Sequence, residues 1–351
     1  MATIILTGGG SAGHCTPHLA ILPYLKNNFD KIYYVGSENG IEKEIINRTD
    51  IPYYSVSCQK LNRKFSIKNF LIPFNVYKGI RQAGKIIDEL KPDVIFSKGG
   101  YVSVPLVLAA KKRKIPILSH ESDYTPGLAN KITSKYCKRV FTSFPETAKQ
   151  IKNGLYVGAP IRSGLNAPKK KALEMFGFSG TKPILLITGG SQGAKVINKV
   201  VRQSLDDLLK KYDVIHICGK NNLDESIVKK GYYQTEYMHK IENAFSIASV
   251  CISRAGSNAL FELLSLKIPC VLIPLPKGTS RGDQVLNAEY FQKQGLVSVL
   301  PQNALTKDSL IFNVNAVYNN KNNLIKNFSK YPVVDKSRQI SRLIADQVKH
   351  S

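Results

Sequence analysis

His14 stands at the end of a glycine run, "GGGSAGH" (8–14), which itself follows the apolar residues Ile4, Ile5 and Leu6. An imidazole titrates close to neutral pH. A glycine turn between a strand and a helix aims backbone N–H groups and the positive helix end at an anion. The same arrangement recurs in "TGGSQGA" (188–194) and "SRAGSNALFE" (253–262). The chemistry suggested is the binding of a phosphate-rich ligand. Gly8, Gly10 and Gly13 also satisfy G-x-G-x-x-G, the dinucleotide fingerprint, with Glu38 as a candidate for the ribose. That fingerprint alone is weak, because glycine also simply lets a helix pack close to a sheet. It expects a small residue where His14 stands, and it leaves the third turn without a task, so the dinucleotide becomes the minority reading. His14 and His18 have the i, i+4 spacing of a zinc pair, but no third ligand is evident. Asp206-Asp207 falls inside a helical pattern and reads as a solvated face.

Strands must carry these turns, and the chain has the right rhythm. Short β-branched runs at 3–8, 31–37, 52–57, 93–99, 115–121, 139–144 and 155–159 alternate with amphipathic stretches. The pattern restarts at 182–201 and continues with runs at 213–219, 232–238, 249–256, 269–275 and 296–301. Such alternation predicts α/β architecture: two Rossmann-like, doubly wound domains, each with a parallel sheet covered on both faces. The expected domains are 1–162 and 163–335, joined near "VGAPIRSGLNAPKKK". The last amphipathic stretch, about 336–351, can pack on either domain and is expected on the first. Ligands of open α/β sheets lie beyond the C-terminal strand ends, so two facing domains would make a cleft.

The totals bound the partners. A chain of 351 residues suffices for two cores. Fifty Lys plus Arg against 25 acidic residues give a net charge of +25, which favours polyanions. The lysines are scattered, so charge alone selects neither nucleic acid, anionic lipid nor a phosphorylated substrate. Six cysteines lie far apart without a C-x-x-C pair and read as reduced, largely buried thiols of a cytosolic protein. No apolar run approaches the roughly 18 residues of a membrane span, and the N-terminus lacks signal-peptide character.

Seven motifs occur in order over nearly the whole chain: "GGGSAGH", "SKGGYVSVP", "HESDYTPGLANK", "VGAPIR", "TGGSQGA", "SRAGSNALFE" and "SRGDQVLNA". Each is modest singly; together they resemble the bacterial cell-wall N-acetylglucosaminyltransferases, enzymes of the GT-B fold. The resemblance implies inverting transfer of N-acetylglucosamine from UDP-N-acetylglucosamine to the 4-hydroxyl of undecaprenyl-diphospho-muramoylpentapeptide, the step from lipid I to lipid II in peptidoglycan synthesis. It implies no cofactor and no metal. His14 is the candidate base. The donor positions it carries over are Arg162, Ser191, Gln192, Met238 (backbone groups facing uracil), Gly256, Ser257, Glu262 (ribose hydroxyls), Asp283, Gln284 and Asn287. The acceptor positions are Gly9, Gly10, Ser11, Ala12, Gly13, His14, Tyr101, His120, Glu121 and Asn130. Departures from many members are Ala12, Ser122, Asp123, Ala159 and Asp283, which bear on sugar contacts and peptide preference rather than on the reaction.

A lipid-linked acceptor implies peripheral binding at the anionic inner leaflet, on the cytoplasmic face of the cell membrane. The stretch 60–85 fits, mixing Lys60, Arg63, Lys64, Lys68 and Lys78 with Leu61, Phe65, Phe70, Leu71, Ile72 and Phe74. Proteins of cell-wall elongation and division are partners the resemblance admits; nucleic acid is not expected. The alternatives are a lipid glycosyltransferase of similar architecture and a UDP-N-acetylglucosamine 2-epimerase.

Overall fold

The computed structural model describes residues 1–60, 72–190, 192–279 and 281–348. The chain divides into two units: Met1–Arg162 together with the chain from Asp335 onward, and Ser163–Val334.

The first unit holds a seven-stranded sheet of β1 (Thr3–Thr7), β2 (Lys31–Gly36), β3 (Tyr53–Ser55), β4 (Val94–Ser97), β5 (Ile117–Glu121), β6 (Arg139–Thr142) and β7 (Gly154–Tyr156). Its order is β3-β2-β1-β4-β5-β6-β7, with every recorded pair parallel. Alternation along β1 explains the two cores. Ile4 and Leu6 face one side with Ile21 and Leu25, while Ile5 faces the other with Ile87, Leu106 and Val107. Ile340, Ile344 and Ala345 of the helix Ser337–Ala345 complete the first of these cores. Asp335 ties that helix down by accepting from Ile161 N and Ser337 N, each at 2.8 Å.

The second unit holds six strands: β8 (Ile184–Thr188), β9 (Asp213–Ile217), β10 (Tyr232–Thr235), β11 (Ala248–Ser253), β12 (Cys270–Leu272) and β13 (Ser298–Val299). Their order is β10-β9-β8-β11-β12-β13, again parallel throughout the recorded pairs. Strand order reverses between β1 and β4 in one sheet and between β8 and β11 in the other. A crevice for ligands opens at such a reversal.

Several strands are shorter than the runs that announce them. β7 stops at Tyr156 because Gly158 takes φ +99° and Pro160 follows. β10 and β13 lie at sheet edges, where pairing is one-sided, and span only 232–235 and 298–299. Among the described residues no helix is long and apolar enough to cross a membrane.

Candidate active site

In the first unit the turn after β1 meets the turn after β4. Gly10 adopts φ +80°, and a Cβ there would lie 2.4 Å from the Tyr101 ring, so both conformation and space require glycine. Gly9 N donates to Gly99 O at 3.3 Å, and Gly10 N donates to Glu42 Oε2 at 3.1 Å. Both amides are thus engaged within the protein. The amides of Ser11 and Ala12 remain as donors of the turn. Glu42 is fully buried and also accepts from the backbone and hydroxyl of Ser37. It braces the turn from below, while Glu38, the acidic candidate of the dinucleotide reading, is exposed.

His14 closes a 3₁₀ turn, Ala12–His14, ahead of the helix Thr16–Leu25. Its Nδ1 lies 2.8 Å from Ser11 Oγ, which orients the ring. His18 has a different fate. It is buried, its Nε2 sits 3.1 Å from Thr7 O, and it makes edge contacts with Tyr34 and Phe96. Burial, with the Lys98 charge in support, lowers its pKa to about 3. The i, i+4 histidines therefore do not converge on one point. Among the described residues no group of three or more His, Cys, Asp and Glu is placed to hold a metal ion.

The loop after β5 completes this half-site. Glu121, buried, accepts from Asp123 N and Gly127 N at 3.0 Å and from Asn130 Nδ2 at 2.7 Å. Burial raises its pKa, with the Asp123 charge acting in the same direction. His120 is fully buried between Gly158 O, 3.0 Å from Nε2, and the Lys98 ammonium, 2.5 Å from Nδ1. Both ring nitrogens are thus taken, and burial pushes its pKa well below the usual imidazole value. In this arrangement His120 supports Lys98 and the Gly158 turn. Lys98 and Glu42 escape the sequence reading. The available signals were a lysine closing the apolar strand β4 and an acidic residue in the first turn of the helix Ile41–Ile46.

In the second unit the turns after β8 and β11 share the other strand reversal. Gly193 takes φ +72°, and a Cβ there would lie 2.0 Å from Cys218 O, so two backbones pass with no room for a side chain. Ser191 lies outside the described residues; Gln192 beside it is exposed. After β11, Gly256 caps the helix Ser257–Ser265, in which Ser257 and Glu262 are buried. Arg254 holds this turn by donating to Ile273 O at 3.0 Å and Gln302 Oε1 at 2.7 Å. Asn287, fully buried, donates to Ala255 O at 3.1 Å and so also supports the turn. Gln284 Oε1 accepts from Leu275 N at 3.0 Å, and Asp283 pairs with Arg281 at 2.8 Å. Met238 is buried, and Arg162 is the last residue of the first unit before the chain enters the second.

Each unit thus carries a pair of glycine turns at a strand reversal. A protein of Clostridium botulinum (strain Loch Maree / Type A3) is 49% identical over 354 residues, covering 99% of this chain and 100% of that one. The N-terminal domain of glycosyltransferase family 28 matches residues 4–142, and its C-terminal domain matches 184–347. The chain belongs to glycosyltransferase family 28. The Clostridium botulinum member is named UDP-N-acetylglucosamine--N-acetylmuramyl-(pentapeptide) pyrophosphoryl-undecaprenol N-acetylglucosamine transferase. A family 28 relative from Bacillus anthracis, named as transferase 2 of that kind, is 51% identical over 325 residues, 91% of this chain and 92% of its own. The crystal structure of Acinetobacter baumannii MurG matches with a TM-score of 0.77 at 22% identity, covering 99% of this chain and 100% of that one. The shared architecture is the GT-B fold of two parallel-sheet α/β domains.

Proposed function

We propose that the chain transfers N-acetylglucosamine from UDP-N-acetylglucosamine to the 4-hydroxyl of undecaprenyl-diphospho-muramoylpentapeptide. The observation that carries this reading is near-half identity, over the whole chain, to enzymes named for that transfer. The reaction is a single displacement with inversion: the hydroxyl oxygen bonds to C1 of the sugar as the C1–oxygen bond to UDP breaks.

The second unit takes the donor. The helix Ser257–Ser265 and the turn around Gln192 meet the diphosphate, where a helix N-terminus contributes about 0.3–2 kcal/mol. Glu262 accepts from the ribose hydroxyls, backbone groups at Met238 face the base, and Gln284 meets the sugar. The leaving diphosphate needs donors already in place, because reorganisation during reaction would raise the barrier. The first unit takes the acceptor, with its diphosphate at the Ser11 and Ala12 amides beside Tyr101. With Nδ1–H donating to Ser11 Oγ, His14 Nε2 is the atom that accepts the hydroxyl proton.

The lipid tail of this acceptor places the enzyme at the anionic inner leaflet. Phe74 and Tyr77, 68% and 58% exposed on the helix Ile72–Leu90, support that reading beside Lys78. Phe65 and Phe70, the other aromatic anchors expected there, lie outside the described residues. The test is transfer of label from radiolabelled UDP-N-acetylglucosamine to a short-chain acceptor analogue, with chelator present. Label in the disaccharide product supports the reading, and an intact donor sugar after long incubation sinks it. In the same preparation, Phe74→Ser with Tyr77→Ser reduces sedimentation with anionic vesicles; unchanged sedimentation removes the membrane assignment alone.

A further inference from the structure

Lys98 is a buried cation that the transfer step, as described, does not use. It follows β4 directly and is 2% exposed. Burying an ammonium is strongly unfavourable unless other groups compensate it. Its Nζ donates to His120 Nδ1 at 2.5 Å and to Ser122 Oγ at 2.7 Å. His120 Nε2 donates to Gly158 O, which fixes the tautomer that leaves Nδ1 as acceptor. Both partners are therefore neutral, and the compensating charges are Glu121 and Asp123, which act on Lys98 through space. A Cβ on Gly8 would lie 3.0 Å from Lys98 Cβ, so the lysine sits against the first glycine turn. Glu42 contacts Gly9 and Gly10 of that turn. An anion arriving here meets the Glu42 carboxylate at the turn, while Glu121 and Asp123 flank the buried Lys98.

We infer that Lys98 is a positioning residue for the acceptor diphosphate: held between His120 and Ser122, it pins the 120–130 loop to the glycine turns and offsets the carboxylates that would repel the incoming anion. The inference rests on the reading that this unit takes the acceptor. Low local polarity lengthens the reach of the charge, so a fully covered ammonium still acts on a ligand at the turn. Burial outweighs the two carboxylates and lowers the Lys98 pKa to about 7. The groups facing it are His18 from the helix Thr16–Leu25, His120 and Glu121 from β5, and Ser122 and Asp123 from the following loop. Both imidazoles are held neutral by burial. Lys98 is thus charged below about pH 7 and loses that charge above it. Acceptor binding weakens as the pH rises through this value.

The experiment is steady-state transfer by the full chain with the short-chain acceptor analogue, followed across neutral pH for wild type, Lys98→Met and Lys98→Arg. In wild type the acceptor KM rises with pH. Lys98→Met raises the acceptor KM on the acid side about ten- to hundredfold, the size expected for losing a charged hydrogen-bonding group. It also removes the pH dependence, while the KM for UDP-N-acetylglucosamine stays within about twofold. Lys98→Arg, charged throughout, keeps the acceptor KM low on the alkaline side. A purely structural lysine would change stability or both KM values together and leave the pH dependence in place. An unchanged acceptor KM in Lys98→Met overturns the inference, as does the wild-type rise with pH persisting in Lys98→Arg; the latter decides if the methionine variant does not fold. Absence of any transfer by wild type overturns the proposed function and this inference with it, whereas transfer with an indifferent Lys98 overturns only the latter.

Discussion

The two units set similar glycine turns at a sheet reversal yet brace them by different means. In the first, buried side chains with charge or titratable protons do the bracing: Glu42 under Gly10, Glu121 under Asn130 and Gly127, His120 under Lys98. In the second, backbone packs on backbone at the first turn, with Gly193 against Cys218 O and Gly219, while the other turn rests on neutral Asn287 at Ala255 O and on Arg254, a permanent charge with no proton to exchange near neutral pH. Polar networks respond to pH and to single substitutions of charge, while close-packed backbone responds to volume. The contrast fits the proposed division of labour, in which one unit manages a proton and the other presents a fixed cradle to a leaving diphosphate.

The largest effect expected from breaking this contrast is steric. Gly193→Ala places a methyl group 2.0 Å from Cys218 O at a positive φ, and should cost about 2–4 kcal/mol of stability. Gly256→Ala, whose Cβ would meet nothing within 4 Å, should cost about 1 kcal/mol or less. Denaturant unfolding of both variants reads the difference, and equal losses would contradict a backbone-packed cradle.

An effect smaller within any one pH unit distinguishes the first unit. His18 has a folded pKa lowered to about 3, so the unfolded chain binds a proton that the folded chain refuses. Its contribution is present above the ordinary imidazole value and is lost as pH falls from there toward 3. Each pH unit in that window removes about 1.4 kcal/mol, and His18→Gln should flatten the acid slope by that amount. Parallel stability–pH curves for wild type and variant would show that His18 is not held neutral in the fold.

Strand rhythm and glycine turns made the two sheets and both half-sites legible in the sequence, because β-branched runs and turn residues act locally. The run "TIILTG" could only be a strand ending in a turn, and so could "KPILLITGG". What supports the turns was not legible. Nothing local tells Glu42 from Glu38 or Glu44; helix geometry alone carries Glu42 beneath Gly10 while Glu38 stays in solvent. Lys98 looked like one more of the scattered lysines, because its burial depends on Ser122 and His120, more than twenty residues away. His120 and Asn287 are named by resemblance as site positions, and their bonds to Gly158 O and Ala255 O, which brace the turns, had no signal in the sequence.

Whether donor binding and proton removal truly reside in separate units is tested most directly by titrating UDP into wild type, Glu262→Ala and His14→Ala by calorimetry, beside turnover of each. Glu262→Ala should weaken UDP binding about ten- to hundredfold, the loss of hydrogen bonds to a charged acceptor. His14→Ala should bind UDP as wild type does while turnover falls about 10²- to 10⁴-fold. UDP affinity lost in His14→Ala, or preserved in Glu262→Ala, would contradict the division.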